Sequence, residues 1–283
     1  MKALLAIINL SLLFLFYPTS RLHAQARATI TVTINVLRAT SSDACNGKMD
    51  FFAKIHIGDK LKTFPVKEGN LLRGLNWKFA LPVEEESVTT EIEIWDDDDA
   101  ICGGGDDRVC IIGNSNRVRQ TVSTGAFKTY EYSSEGNCTA SGTERAYIGY
   151  TITVEPTKTG LLSAGNWKKV KFEMKTGTGG WEELVGRTIH PELECGKDNY
   201  QVFSSVGNYE VNAGLIKCAA SDPQIIARGK WQFLYNETQL RIAINFVPKT
   251  DYVIEKLDEQ EMQLTNFVSE PDGIRYYRTT YRH

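Results

Sequence analysis

Apolar and polar residues alternate along most of this chain, and the alternation predicts β-strands. Residues Ala28–Leu37 alternate Thr with Ile and Val, Thr90–Trp95 reads T-E-I-E-I-W with its apolar residues on one face, and Tyr147–Val154 repeats the pattern. No stretch carries the apolar spacing of a helix of three turns. The chain is therefore predicted to be all-β.

A break in the alternation divides the chain into two predicted domains, residues 27–156 and residues 161–283. The break is Glu155–Gly160, which contains a Pro and a Gly directly after a predicted strand. After it come eight short predicted strands, most of them joined by short turns: Trp167–Met174, Asn199–Phe203, Asn208–Val211, Lys230–Tyr235, Gln239–Phe246, Tyr252–Leu257, Met262–Phe267 and Ile274–Tyr281. This succession is typical of an up-and-down antiparallel meander.

The first 25 residues have the pattern of a secretory signal peptide. A charged start at Lys2 is followed by the apolar run Ala3–Tyr17 and by the small residues Ala24 and Ala26, so cleavage is expected after Ala24 or after Ala26. The apolar run is shorter than the roughly 20 residues that a membrane-spanning helix needs. No Cys follows the cleavage zone directly, so no N-terminal lipid anchor is expected. The predicted location is secreted or periplasmic.

Composition and charge exclude several classes of function. The 283 residues are 42% hydrophobic and 24% charged, as in ordinary globular proteins. With 32 basic and 35 acidic residues there is no concentration of positive charge for a nucleic-acid partner. The four His are scattered, and the chain has no G-x-S-x-G, Walker or H-E-x-x-H motif. The chain is predicted not to be an enzyme.

All six cysteines follow the predicted signal peptide: Cys45, Cys102, Cys110, Cys138, Cys195 and Cys218. An even number in an exported chain predicts disulfides. The last two are expected to pair with each other, whereas the first four leave three pairings open, of which Cys102 with Cys110 closes the shortest loop. None of the spacings is C-x-x-C, so neither a zinc site nor a redox motif is expected.

Two acidic segments are the strongest chemical signal in the sequence. Trp95–Asp107 places six carboxylates in the loop between two predicted strands, and Asp43–Asp50 is a second acidic segment. Packed carboxylates repel one another, and Ca²⁺ prefers about six to eight such oxygens. An EF-hand is excluded because Ile101 stands where a Gly is needed. The alternative interpretation is an acidic surface loop that binds no metal.

Three short segments resemble those of C2 domains, in the same order. Asp50–Ile55 (D-F-F-A-K-I) is similar to their D-P-Y-V-K-V segment, Asn76–Phe79 (N-W-K-F) to their N-P-x-W-N-x-x-F stretch, and Ile94–Asp98 to their V-W-D-x-D calcium loop. The resemblance covers about residues 27–156 and implies a C2-like antiparallel β-sandwich. Phe51 stands where the family has Pro, and Cys45 and Cys102 add cysteines to both loops.

The C2 resemblance also implies a calcium site between two loops at one end of the sandwich. The matching ligands are Asp43, Asp50, Asp96, Asp98 and Asp106, or Asp107 in place of Asp106 because three glycines obscure the register. Many C2 domains bring calcium to an anionic membrane. The loop tips that correspond here are only Ala100 and Ile101. A basic strip of Lys54, Lys60, Lys62 and Lys67 is explained equally well as a solvated strand face.

The second half resembles lipocalins. Gly165-Asn166-Trp167 matches their G-x-W on the first strand, and the resemblance implies that Arg278 or Arg282 covers Trp167 through a cation–π contact. The segments Cys195–Phe203, Gly207–Tyr209 and Gly229–Trp231 are similar to lipocalin-like domains of exported proteins from Bacteroidetes-type bacteria. The fold implied is an eight-stranded antiparallel β-barrel, which either fills with its own side chains or holds one small ligand.

These inferences together predict an exported, non-enzymatic binding protein. Its C2-like domain binds calcium, and its lipocalin-like domain takes a small hydrophobic ligand. One alternative is a structural or interaction module that binds a protein or a component of the cell envelope, with calcium only stiffening the first domain. Another is calcium-dependent lipid binding. A hollow, apolar barrel interior favours the first of these, and a filled one favours the second.

Overall fold

The computed structural model describes residues 25–41, 48–97, 106–113, 115–139, 144–184, 196, 198–217, 219–271 and 273–283. Strands make up most of this part of the chain, so the all-β prediction is confirmed. None of the helices within the described residues has the length and apolarity that crossing a bilayer requires.

The first half of the chain forms two antiparallel sheets that pack face to face. The strands are β1 (Ala28–Ala39), β2 (Asp50–Ile57), β3 (Lys60–Thr63), β4 (Lys67–Glu68), β5 (Leu71–Val83), β6 (Ser87–Asp96), β7 (Asp107–Val109), β8 (Arg117–Ser123), β9 (Thr129–Glu135) and β10 (Ala146–Pro156). One sheet has the order β5-β1-β10-β9. In the other, β3-β2-β6-β7 form the main path, β4 also pairs with β2, and β8 also pairs with β6.

The alternation in β1 explains how the sandwich core forms. Ile30, Val32 and Ile34 are fully buried against the other sheet. A register shift between Ile34 and Val36 then moves the next buried position to Leu37. Such a bulge places an extra residue in one strand and re-aims the side chains beyond it. The sandwich core therefore follows the alternation, with one interruption.

A disulfide joins the two sheets at one edge of the sandwich. Cys110 follows β7 in one sheet, Cys138 follows β9 in the other, and the two are bonded. This bond excludes a disulfide between Cys102 and Cys110, which was one of the three pairings left open by the sequence. The other four cysteines lie outside the described residues, so their pairings remain predictions: Cys45, Cys102, Cys195 and Cys218.

The second half forms a closed antiparallel barrel. Its elements are α1 (Lys158–Ser163), β11 (Asn166–Thr176), β12 (Glu182–Glu183), β13 (Tyr200–Phe203), β14 (Asn208–Asn212), β15 (Ile225–Leu234), β16 (Gln239–Ile244), β17 (Thr250–Leu257), β18 (Glu261–Glu270) and β19 (Gly273–Arg282). Strands β13 to β19 pair in sequence order, and β11 pairs with both β13 and β19. The predicted eight-stranded barrel is thus confirmed, with β12 as a short additional partner of β11.

The antiparallel order defines two ends of the barrel. At the first, here called the helix end, lie α1 and the turns β13–β14, β15–β16 and β17–β18. At the second, here called the rim, lie the end of β11 and the connections β14–β15, β16–β17 and β18–β19.

Helix α1 closes the helix end of the barrel. The hydroxyl of Thr157 accepts a hydrogen bond from the amide of Gly160 at 3.0 Å and so caps the helix. Leu162 is fully buried in the barrel core, and its carbonyl accepts a hydrogen bond from Nε1 of Trp167 at 2.8 Å. A Cβ at Gly160 would lie 1.7 Å from the carbonyl oxygen of Arg27, so this position requires Gly. The predicted break at Glu155–Gly160 therefore contains the start of a short structural helix.

Candidate functional site

Three of the predicted calcium ligands lie at the same end of three neighbouring strands. Asp50 begins β2, Asp96 ends β6, and Asp107 begins β7 directly opposite Asp96 in the ladder. The amide of Asp50 donates a hydrogen bond to Oδ1 of Asp96 at 2.6 Å, and the amide of Asp97 donates to the carbonyl of Asp50 at 3.0 Å. Asp96 is only 1% exposed. The carboxylate of Asp96 is thus buried and held in one orientation by the backbone.

The remaining predicted ligands are placed differently. Asp106 precedes β7 and is exposed, while Asp43 and Asp98 lie outside the described residues. Within the described ranges no three or more His, Cys, Asp or Glu side chains converge as metal ligands do. A cation is already present beside the strand ends, since Lys48 Nζ lies 2.7 Å from Oε1 of Glu68. That hydrogen bond, with the charges of Glu68 and Asp50, raises the pKa of Lys48.

These carboxylates fit a calcium site in part. Carboxylate oxygens are the donors that Ca²⁺ prefers, and the ladder brings Asp96 and Asp107 side by side. Oδ1 of Asp96 accepts the amide hydrogen bond of Asp50. The described residues would therefore supply only some of the oxygens that a calcium ion needs, and the others would have to come from Asp43 and Asp98.

The four lysines of the predicted basic strip do not form one strip. Lys60 and Lys62 stand opposite the buried Ile57 and Ile55, whereas Lys54 stands opposite Thr63 and so points to the other face of the sheet. Lys54 Nζ lies 3.8 Å from the ring centre of Trp95. Lys62 donates to the carbonyl of Lys78, Lys60 pairs with Asp59, and Lys67 is exposed on β4. The period of two along β2 separates Lys54 from the other three lysines, which stand opposite Phe51, Ile55 and Ile57.

Side chains fill the helix end of the barrel. Trp167 and Phe203 are almost fully buried, and Phe203 packs edge to face on Trp231 with ring centres 6.0 Å apart. Nε1 of Trp231 donates to the carbonyl of Ser204 at 2.9 Å. Met262 and other apolar residues complete this cluster. The aromatic residues at this end thus form a core.

The prediction that Arg278 or Arg282 covers Trp167 is wrong. The imidazole of His283 lies over Trp167, with ring centres 3.9 Å apart. Arg282 stands opposite Lys168 in the ladder, and Lys168 is the neighbour of the inward Trp167. Because successive side chains point to opposite faces, Lys168 and Arg282 both point outward. There Arg282 pairs with Glu261, with 2.8 Å between Nη2 and Oε2. Arg278 lies on the same outer face.

Arg278 instead belongs to a cluster on the outside of the barrel. Its Nε lies 2.8 Å from Oε2 of the buried Glu173, and its guanidinium lies 4.4 Å from the ring centre of Trp181. Lys171 lies 2.9 Å from the other carboxylate oxygen. The hydrogen bond from Arg278, with a smaller contribution from Lys171, lowers the pKa of Glu173. Arg278 therefore makes a cation–π contact with Trp181 and not the predicted one with Trp167.

A cavity of about 240 Å³ lies in the barrel beside this core. Aromatic rings form part of its wall, including Trp167 and Phe172. Gln201 Nε2 donates to the hydroxyl of Tyr281 at 3.0 Å, and Oε1 of Gln201 is buried and accepts no hydrogen bond from the residues that the structure describes. The hydroxyl-bearing Thr279 lines the same space. The cavity therefore borders the filled core at Trp167 and Tyr281 and lies beside β11 and β13.

Sequence reasoning did not identify the polar residues of this cavity. Gln201 lies two residues before the inward Phe203, and Thr279 lies two residues before Tyr281, so alternation alone could have placed both inside the barrel. Nothing in the sequence distinguished them from other polar positions of the alternating strands.

Solved structures that are similar to this chain include C2 domains. A single C2 domain of a plant extended synaptotagmin 1 is 14% identical, covers 47% of this chain and 98% of its own, and has a TM-score of 0.36. A pair of C2 domains from extended synaptotagmin 2 is 8% identical over 91% of this chain and 92% of its own, at 0.36. Human GIVD cytosolic phospholipase A2 is 10% identical over 92% of this chain and 33% of its own, at 0.35. TM-scores this low assign no function to this chain. No family model and no curated protein matches the chain.

Proposed function

We propose that this protein is a non-catalytic binding protein whose barrel takes a small molecule that has both an apolar and a polar part. The observation that carries this proposal is the cavity beside Trp167, whose wall combines aromatic rings with the polar side chains of Lys169, Asn199, Gln201 and Thr279. Binding pockets for small molecules combine such walls with a small number of polar groups that orient the ligand. At about 240 Å³ the cavity is smaller than typical drug-sized pockets of roughly 300 to 1,000 Å³. The ligand would be about the size of a single substituted ring.

Thermal unfolding in the presence of toluene and of phenol tests the barrel proposal. A molecule that binds only the folded state raises the unfolding temperature of the barrel as its concentration rises. The variant Val211→Phe adds a ring to the cavity wall and should abolish the shift. The matched control Val253→Phe adds the same ring on the outer face, where Val253 is exposed, and should keep it. If neither probe shifts the transition, or if Val211→Phe retains the full shift, the barrel proposal is wrong.

We also propose that the sandwich binds calcium at the ends of β2, β6 and β7. The buried Asp96, oriented by the amide of Asp50 and flanked by Asp107, supports this proposal. Asp43 and Asp98 would complete the oxygen shell, and Asp106 is the alternative to Asp107. The role of the metal would be to neutralise the repulsion among these carboxylates and hold the two loops together.

Calorimetric titration of the mature protein with calcium tests this second proposal. We expect saturable binding that is lost when Asp96→Asn is combined with Asp98→Asn. The control is Asp59→Asn, which removes an exposed carboxylate that pairs with Lys60 in the β2–β3 turn. Equal binding by the double variant and the wild-type protein would exclude the site.

We further propose that the protein is exported, as its first 25 residues predict. The choice of cleavage site matters for the structure, because Gln25 contacts both Thr159 Oγ1, at 2.6 Å, and the carbonyl of Ser205, at 3.3 Å. Cleavage after Ala24 keeps these contacts, whereas cleavage after Ala26 removes them. Mass spectrometry of the protein recovered from the medium or periplasm of an expressing cell tests both points, and recovery of only the uncleaved chain from the cytoplasm would contradict the proposal.

A further inference from the structure

Residues 25 and 26 are held at the junction between the sandwich and the barrel. The amide of Gln25 donates to the carbonyl of Ser205, in the turn between β13 and β14, at 3.3 Å. Oε1 of Gln25 accepts a hydrogen bond from the hydroxyl of Thr159 in α1 at 2.6 Å. The carbonyl of Ala26 accepts from the hydroxyl of Thr157. These two residues are therefore part of the folded protein.

The contacts of Gln25 distinguish the two predicted cleavage sites. Thr159 is only 2% exposed, and within the described part of the chain its hydroxyl donates to Gln25. Cleavage after Ala26 would leave this buried hydroxyl without that acceptor, which costs stability. Cleavage after Ala24 keeps the acceptor and makes Gln25 the first residue of the mature chain. The fold therefore favours a mature chain that begins with glutamine.

An amino-terminal glutamine carries both partners of a ring-closing reaction. The nucleophile is its α-amine, part of which is uncharged at neutral pH, and the electrophile is the side-chain carbonyl carbon Cδ. The N–Cδ bond forms, the Cδ–Nε2 bond breaks, and the former amide nitrogen leaves as ammonia with one proton from the amine. The product is the lactam pyroglutamate. No oxidant, reductant or second substrate is needed.

The contacts of Gln25 involve the atoms that this reaction leaves in place. The α-nitrogen keeps one hydrogen and can still donate to Ser205, and Oε1 remains an acceptor for Thr159. The atom that leaves is Nε2, for which no hydrogen-bond partner is found among the described residues. Gln25 is also exposed, so an enzyme that catalyses the closure has access to it. Cyclisation therefore sacrifices neither of the two hydrogen bonds of Gln25.

We propose that Gln25 becomes the amino-terminal residue on export and is converted to pyroglutamate, which stays docked on Thr159 and Ser205. This inference rests on the export proposed above. The lactam ends the chain without a free amine, and aminopeptidases that require an α-amine cannot begin to digest such a chain. The modification would protect the segment that connects the barrel with the start of β1.

Mass spectrometry of the exported chain and of its amino-terminal peptide tests this proposal. We expect a peptide that begins at residue 25 and is lighter than the linear sequence by one ammonia molecule. The matched control is Gln25→Asn, which keeps a side-chain amide but is one methylene shorter. Its ring would be smaller and strained, so the control peptide should keep the full mass of the linear sequence.

Digestion with pyroglutamyl aminopeptidase tests whether the fold holds the lactam. Thr159→Val removes the hydroxyl that bonds to residue 25, so the enzyme should remove the lactam about two- to tenfold faster than from the wild type, as for the loss of one hydrogen bond. The matched control is Ser163→Ala. It removes another hydroxyl of α1, one that donates to the carbonyl of Thr159, and should leave the rate unchanged. Equal rates for Thr159→Val and the wild type would overturn the docking.

The masses separate a failure of this proposal from a failure of the proposed export. Recovery of only the uncleaved chain would contradict the export and this proposal together. A mature chain that begins at Arg27, or one that begins with a linear Gln25, would agree with export and overturn the modification. A loss of ammonia from Gln25→Asn as well would place the mass change at another residue and would also overturn it.

Discussion

Removing the disulfide between Cys110 and Cys138 should destabilise the sandwich and leave the barrel unchanged. The bond joins the two sheets beside the isolated bridges of Cys110 with Arg145 and of Gly113 with Gly136. Cys110 is fully buried, so alanine is a better replacement than serine, which would bury an extra hydroxyl. The perturbation is therefore Cys110→Ala together with Cys138→Ala.

The magnitude follows from the length of chain that the bond closes. The two cysteines are 28 residues apart in sequence. In the chain-entropy description a loop of this size removes about 12 cal/mol/K from the unfolded state, which is about 3.5 kcal/mol at 25 °C. Each single variant already breaks the bond. We therefore expect each to lose nearly the whole amount and the double variant to lose little more.

The assay is urea unfolding of the oxidised full chain, followed by circular dichroism and by tryptophan fluorescence. The transition of the sandwich should move to lower urea, while the barrel provides the internal reference. A loss below about 1 kcal/mol would refute the reasoning, because the bond would then constrain the unfolded chain far less than its loop length requires. Additive effects of the two single variants would also refute it.

Three further changes test the junction, the outer cluster and the helix end. Gly160→Ala should lower the unfolding temperature because its Cβ would meet the carbonyl of Arg27, whereas Gly180→Ala, with open space around it, should not. Arg278 and Lys171 lower the pKa of Glu173, so its stabilisation is present above the unfolded pKa of Glu and is lost as pH falls through the folded value. In Glu173→Gln the urea midpoint of the barrel should therefore fall less on acidification than in the wild type; an equal fall would contradict this. Trp167→Phe loses the hydrogen bond to α1 and should cost the barrel about 1 kcal/mol, measured by urea unfolding.

The strands could be predicted from the sequence because their signal is local. The predicted strand Trp167–Met174 lies inside β11, and Thr90–Trp95 lies inside β6. Successive side chains of a strand point to opposite faces, so the alternation of apolar and polar residues is visible within a few residues. In β6 the polar Glu91 and Glu93 are themselves buried, yet they keep the alternation in the sequence. Helix α1 was not predicted, because six residues are too few to show a helical period and because the Pro and Gly around it indicate only a break.

The side-chain partners of the barrel could not be predicted, because they depend on register. A shift between Lys169 and Lys171 changes which residues of β11 and β19 stand opposite each other. Such a shift is set by packing around the whole ring and leaves no trace in the alternation of either strand. The cation expected over Trp167 is a different case: the resemblance to lipocalins implied it, whereas alternation with the inward Tyr281 places Arg278 and Arg282 on the outer face.

The candidate calcium ligands could be predicted from the sequence only in part. Asp50 and Asp96 are brought together because one begins β2 and the other ends the antiparallel strand β6, which follows from the strand order alone. The choice between Asp106 and Asp107 depended on a register that the glycines obscured. The ladder places Asp107 opposite Asp96 and leaves Asp106 outside β7.

The connection between the two halves bears on whether the proposed contacts can act independently. The chain leaves the sandwich through β10 and enters the barrel through α1, which lies at the helix end, so the rim is the end of the barrel away from this junction. In the sandwich, β1 begins next to the junction at Ala28 and ends at Ala39, and the acidic loops belong to that far end. If the barrel cavity binds a small molecule and the acidic end of the sandwich binds calcium, neither contact requires the other. Val211→Phe should then leave calcium binding unchanged, and Asp96→Asn should leave binding in the barrel unchanged; an effect of either variant on the other site would show that the two sites communicate through the junction.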